Sequence, residues 1–171
     1  MNAKVAILMG SDSDLPTMKK CIAELTRLDV PWDIVVASAH RTPERVAKYV
    51  KKCEADGVLV FVCAAGGAAH LAGAVAAQTT LPVLGVPIAV EPFKGLDALF
   101  STVQMPPGIP VATLAAGDYG ATNAGLLAAQ IVSIGDPALR ERIKKDRESM
   151  RAKVLEKNAK MRAELGLQPE A

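Results

Sequence analysis

The sequence predicts an α/β protein of three layers: a parallel, five-stranded sheet between two layers of helices, followed by one long C-terminal helix. Three observations predict it. Short, continuously apolar runs rich in Val and Ile recur along the chain, as strands buried on both faces require. Longer segments with helical spacing of apolar residues separate them, and that alternation builds a parallel sheet. The composition, 50% hydrophobic and 22% charged over 171 residues, suits one domain in which thirteen Gly and eleven Pro punctuate the apolar runs. Five strands in this order make the expected αβα fold flavodoxin-like. With only 4% aromatic residues, its core is built from Ala, Val, Leu and Ile.

Val5–Met9 opens the chain as an unbroken apolar strand, and Leu15–Leu28 follows as a helix with Met18, Ile22, Leu25 and Leu28 on one face. Pro31 to Val36 reads Pro-Trp-Asp-Ile-Val-Val, a β-branched run with the second strand at Ile34–Ala37. Thr42-Pro43-Glu44 is a helix start, Thr as cap and Pro in the first turn, for a helix over Pro43–Ala55. Val58–Cys63, Pro82–Val86 and Val111–Leu114 are the remaining strands; Ala69–Thr79, Gly95–Met105 and Ala121–Ile134 are the helices after them. No repeat or linker divides the chain. The expected organisation is an αβα domain over residues 1–135, with a helix and tail over 136–171 in the same unit.

That tail, Asp136 to Leu165, carries ten of the twenty basic residues and six acidic ones. Leu139, Ile143, Met150, Val154, Met161 and Leu165 fall within roughly 80° of one another at ~100° per residue, a narrow apolar stripe on one long helix. It predicts a helix laid against the core or a neighbouring subunit. Mixed charge without interleaved aromatics argues against nucleic-acid binding. Cys21, Cys53 and Cys63 are odd in number, far apart and without a CxxC pair, so neither a disulfide framework nor a zinc site is expected. The longest apolar run, Val58 to Ala69, has about twelve residues and two glycines, short of the ~20 that span a membrane. Met1-Asn2-Ala3-Lys4 runs straight into a strand with no secretory pattern, and a reduced, cytoplasmic setting is expected.

Function points to the loops after the first three strands. Ala37-Ser38-Ala39-His40-Arg41-Thr42-Pro43 holds one of only two histidines, beside a fixed cation, between a strand's C-terminal end and a helix. In an open α/β sheet, ligands bind at that edge. Met9-Gly10-Ser11-Asp12-Ser13-Asp14 enters the first helix; Gly admits a close backbone approach and a helix N-terminus attracts anions, though Ser13 or Asp14 also suits a plain helix cap. Ala64-Ala65-Gly66-Gly67-Ala68-Ala69-His70-Leu71 is not a dinucleotide fingerprint, and its small residues would let a flat ring lie against backbone. Two histidines without clustered carboxylates or thiolates make a metal site unexpected. No Ser-His-Asp arrangement or Walker loop is present.

Several motifs together carry a resemblance. Gly10-Ser11-x-Ser13-Asp14, Ser38-Ala39-His40-Arg41-Thr42-Pro43, Ala65-Gly66-Gly67-Ala68-Ala69-His70-Leu71 and Pro82-Val83-Leu84-Gly85-Val86-Pro87 resemble the PurE family of purine biosynthesis. So do Ser101-Thr102-Val103-Gln104-Met105-Pro106 and Asn123 to Ile131, and the match spans residues 4 to 134 in order. The motifs are those of the bacterial mutase branch; the branch that uses free carbon dioxide typically has Lys after the histidine and Ala-Gly-Arg-Ser-Asn in the third loop. The resemblance implies an isomerase that moves a carboxylate from the exocyclic nitrogen of an aminoimidazole ribonucleotide to ring carbon 4, with no metal and no organic cofactor. It implies His40 as proton shuttle, Arg41 with Ser11, Ser13 and Ser38 on the substrate phosphate, and Asp14 on the ribose hydroxyls. Gly66 and Gly67 would border a pocket that retains carbon dioxide, with His70 lining it. A homo-octamer is implied, with no nucleic-acid or membrane partner.

The alternatives are a carbon dioxide-dependent carboxylase of the same family and, from another class, a non-catalytic flavodoxin-like nucleotide-binding module. Two departures stand out. Ala64-Ala65 follows Cys63 where Gly-Ala is common, and Gly117-Asp118-Tyr119-Gly120 replaces a stretch that is usually small or basic.

Overall fold

Five parallel strands in the order β2-β1-β3-β4-β5 form the single sheet of the computed structural model, which describes residues 3–168. Met1, Asn2 and the last three residues, at the ends of the expected 1–135 and 136–171 segments, lie outside the described residues. The elements are β1 (Val5–Met9), a 3₁₀ turn (Asp12–Asp14), α1 (Leu15–Arg27), β2 (Trp32–Val36), α2 (Pro43–Ala55), β3 (Val60–Gly66) and α3 (Leu71–Ala76). They continue as β4 (Val83–Ile88), α4 (Leu96–Val103), β5 (Ala112–Thr113), α5 (Asp118–Val132) and α6 (Pro137–Glu164). The three-layer, flavodoxin-like expectation is met.

Side-chain alternation along the strands divides the core into two layers. Val5, Ile7 and Met9 of β1 face α1 and α5, packing with Met18, Cys21, Leu25, Ala124 and Ala128. Ala6 and Leu8 face the other way, toward Val46, Val50 and Cys53 of α2 and Leu71 and Val75 of α3. Because both faces are covered, β1, β3 and β4 have no polar side chain at all, the reason for their unbroken apolar runs. Helices α1 and α5 pack closely at a small-residue patch: a Cβ on Gly125 would lie 2.6 Å from the Cys21 carbonyl oxygen.

The differences from expectation fall at element ends. Val58 is still part of the turn closing α2, its N–H bonded to the Cys53 carbonyl, while β3 runs on to Gly66 because Ala64–Gly66 pair with Val86–Ile88. The third helix shortens from Ala69–Thr79 to one and a half turns; Gln78 closes it by donating from its side chain to the Ala74 carbonyl. Helix α5 begins at Asp118 rather than Ala121, after Gly117 at φ 73°. The fifth strand pairs through only two residues.

The expected tail helix is present. Asp136 caps it, accepting from the Leu139 N–H, and Pro137 occupies its first turn. Leu139 is buried and Ile143 packs on the core, Arg142 donates to the Leu28 carbonyl, and Arg27 pairs with Asp146. Further along, Met150, Val154, Met161 and Leu165 of the stripe are exposed, so within one chain only Leu139 and Ile143 of the stripe are covered. No helix among the described residues is long and apolar enough to cross a membrane.

Candidate active site

Pairing register brings three loops to one edge. Met9 lies opposite both Val36 of β2 and Ala64 of β3, so β1 and β2 end level and β3 runs two residues further. The Ala37 N–H continues the ladder to the Met9 carbonyl, and the Gly10 N–H to the Ala64 carbonyl. The strand order reverses between β1 and β3, the crevice where open α/β sheets bind ligands. A cavity of about 450 Å³ opens there, and all nine expected site residues line it: Ser11, Ser13, Asp14, Ser38, His40, Arg41, Gly66, Gly67 and His70. Loops from opposite ends of a 60-residue stretch thus converge because parallel strands carry their C-terminal ends to the same side.

The first loop is organised by a capping box. The Ser11 hydroxyl accepts from the Ser13 N–H, and the Asp14 carboxylate accepts from the Ser11 N–H at 3.1 Å. The expected roles shift by a few residues: Ser11 caps the 3₁₀ turn, whereas Asp14 precedes α1 without capping it by side chain. Asp14 is only 6% exposed. Burial pushes its carboxyl above the usual carboxylate range, against the Ser11 and Gly10 N–H groups and the Arg41 charge, which favour the anion.

The second loop is a tight turn built on Ser38 and Thr42. The Ser38 N–H donates to the Thr42 hydroxyl, and the Thr42 N–H returns to the Ser38 carbonyl. Thr42 is therefore the N-cap by position, but its side chain serves the preceding turn instead of the helix. Residues 39–41 form the apex, with His40 and Arg41 exposed toward the cavity. The Arg41 guanidinium reaches back across the sheet edge to the Gly10 carbonyl at 3.0 Å, tying the second loop to the first. Beside it a smaller recess of about 330 Å³ is lined by Asp12 and Thr42 of the two loops and by Arg45, to which no sequence motif drew attention.

The third loop turns at Gly67, in the left-handed region at φ 63°. Ser101 of α4 braces it: the hydroxyl accepts from the Ala69 N–H at 3.1 Å and donates to the Asp97 carbonyl at 2.6 Å. That brace sets His70 at the start of α3. His70 Nδ1 lies 2.8 Å from His40 Nε2, with the ring planes 82° apart. Sequence spacing does not show Ser101 as a support of the site, although Ser101 opens one of the motifs that carry the family resemblance. Val90, from the β4–α4 connection, closes the cavity on its apolar side. Tyr119 does not line it and is 83% exposed. Among the described residues, no group of three or more His, Cys, Asp and Glu side chains is placed to hold a metal ion.

The arrangement offers a titratable imidazole pair, a desolvated carboxylate, an arginine fork, three hydroxyls and a glycine-lined wall within one concavity. The chain is similar to known proteins over most of its length. The family model described as AIR carboxylase matches residues 4–153. An N5-carboxyaminoimidazole ribonucleotide mutase of Synechocystis is 50% identical over 157 residues, 92% of this chain and 88% of that protein. The mutase of Pyrococcus abyssi is 53% identical over 148 residues, 86% of this chain and 84% of that one. Among solved structures, Treponema denticola PurE superposes with a TM-score of 0.84 at 33% identity, covering 91% of this chain and 96% of that chain.

Proposed function

This chain belongs to the AIR carboxylase family, and we propose that it works as an N5-carboxyaminoimidazole ribonucleotide mutase, an isomerase of purine biosynthesis. The substrate is a carbamate on the exocyclic nitrogen of an aminoimidazole ribonucleotide; the product carries the carboxylate on ring carbon 4. Protonating the carbamate nitrogen releases carbon dioxide and leaves an electron-rich aminoimidazole. If the carbon dioxide is retained, carbon 4 attacks it, and a base then removes the proton from that carbon. One group that first gives and then takes a proton serves both steps, and histidine is suited to it at neutral pH.

His40 is that group in our reading. Arg41 and the hydroxyls of Ser11, Ser13 and Ser38 hold the phosphate, Asp14 accepts from the ribose hydroxyls, and Gly66 and Gly67 border the space for carbon dioxide beside His70. The observation that carries the reading is the convergence of His40, His70, Asp14 and Arg41 on one cavity at the sheet's switch point. The protein works in the cytoplasm as a homo-oligomer, an octamer by its resemblance to the family, and the 136–171 segment belongs to the same unit.

The family description names a carboxylase while the relatives are named mutases, so the test offers both substrates. Purified protein is given either the carbamate nucleotide or aminoimidazole ribonucleotide with bicarbonate. We expect conversion of the first at bicarbonate levels where the second is scarcely consumed. His40→Asn should retain nucleotide binding and lose roughly 10²–10⁴-fold in turnover. Preference for free bicarbonate would reassign the enzyme to carboxylation, and a His40 variant with full turnover would remove His40 from the chemistry.

A further inference from the structure

We propose that Arg45 is a second phosphate-positioning cation, which meets the substrate phosphate from the recess while Arg41 meets it from the main cavity. This rests on the mutase reading and adds to it a residue outside every motif of the sequence. The recess shares Ser11, Ser38 and Arg41 with the main cavity, three of the four residues placed on the phosphate. The two spaces therefore join where the phosphate is held. His40 and His70 line only the main cavity, and Arg45 lines only the recess. A nucleotide whose ring lies beside Gly66 and Gly67 thus brings its phosphate to the mouth of the recess. Arg45 stands at the third position of α2, exposed, and its guanidinium makes no hydrogen bond or ion pair with any described residue.

Two physical arguments support a second cation there. The first is that Arg41 is partly spent inside the protein. Its Nη2 donates to the Gly10 carbonyl at 3.0 Å and its Nε to the Ser38 hydroxyl at 3.5 Å. Part of its fork holds the two loops together, whereas the Arg45 fork is uncommitted. The second is charge. A phosphate monoester carries nearly two negative charges at neutral pH, and the carbamate adds another. Asp12 and Asp14 line the same two spaces, Asp12 accepting from the Ser11 hydroxyl at 3.2 Å. With neutral imidazoles, Arg41 alone would face two carboxylates, and a polyanionic substrate would enter a negative lining. Arg45 restores the balance, and the α2 N-terminus, which no side chain caps, adds the same sign. Being exposed, Arg45 also attracts the phosphate from solution, an effect that salt screens.

Product-nucleotide titrations and steady-state kinetics on the whole protein test this. Arg45→Gln should raise both the Kd for the product nucleotide and the KM for the carbamate nucleotide by roughly tenfold, with kcat kept within about twofold. Arg45→Lys, which keeps the charge without the fork, should fall between the two proteins. Inorganic phosphate should compete less well against nucleotide in Arg45→Gln by a similar factor. All these differences should shrink at about 0.5 M sodium chloride. Equal Kd values in wild type and Arg45→Gln would overturn the proposal. So would a loss confined to kcat, or phosphate that competes equally well in both proteins. If wild type binds product nucleotide about tenfold better than Arg45→Gln but leaves the carbamate unconverted, the mutase reading falls and the phosphate role of Arg45 stands. If wild type converts the carbamate and Arg45→Gln matches its KM, the role of Arg45 falls alone.

Discussion

Asp14 shows how a site residue works against stability. Its carboxyl is buried among Gly10, Ser11 and the start of α1, and desolvation raises its pKa despite two backbone N–H groups and Arg41. A carboxyl raised on folding binds its proton more tightly in the native state. Ionising it therefore costs stability, a cost absent at pH below the ordinary carboxylate range and growing as pH rises through the native value. Asp14→Asn keeps an acceptor for the Ser11 N–H without the charge. It should raise the melting temperature at about pH 7.5, show no gain at about pH 4, and weaken nucleotide binding; thermal melts at both values check this. Arg41 gives a second prediction at this scale. Its planar fork bonds the Gly10 carbonyl while facing the cavity, and Arg41→Lys retains charge but loses the fork. Affinity for the product nucleotide in a calorimetric titration should fall by about 1–3 kcal/mol, roughly 5- to 150-fold. An unchanged Kd would take Arg41 out of the phosphate contact.

Among the helices, the α1–α5 contact sets the sharpest constraint. Residue propensity alone favours Ala over Gly in a helix interior by about 1 kcal/mol. At Gly125 packing reverses that sign, because a methyl there would press on the Cys21 carbonyl and on Glu24 Cβ at 3.0 Å. Gly125→Ala should destabilise by about 1–3 kcal/mol, lowering Tm by a few degrees in a scanning melt. A rise in Tm would show that the two helices have room to separate. The loops behave differently from the helices. Thr42 uses its hydroxyl in the turn with Ser38 and leaves α2 without a side-chain cap, while Ser101, inside α4, braces the third loop; the first trades a little helix stability for a fixed position of His40.

For the whole molecule, the surface is the open question that one chain poses. Phe93 and Phe100 are 62% and 61% exposed, near Leu96 and Val103 on α4, and the later part of the α6 stripe is bare. Apolar surface of that kind marks an association face. Light scattering of the purified protein should give a mass about eight times the 17.9 kDa of one chain. Replacing Phe93 and Phe100 with Ser should shift the population to smaller species. A fully active monomer would refute the assembly.

Much of this is legible in the sequence alone. The apolar runs at Val5–Met9 and Val58–Cys63 identify buried parallel strands, because a strand covered on both faces excludes polar side chains. His40, Arg41 and the Gly66-Gly67 turn are visible as a ligand edge, since strand ends and helix starts leave local marks in the sequence. Element ends were less legible. Whether Ala64–Gly66 extends β3 depends on pairing with Val86–Ile88, a partner more than twenty residues away. The same holds for the brace from Ser101 and the bond between His40 and His70, thirty residues apart in the chain. Local pattern sets which elements form and which residues sit at their ends; only the register of β1 against β2 and β3 determines that two imidazoles meet nose to edge, because that contact is made by strands adjacent in space and distant in sequence.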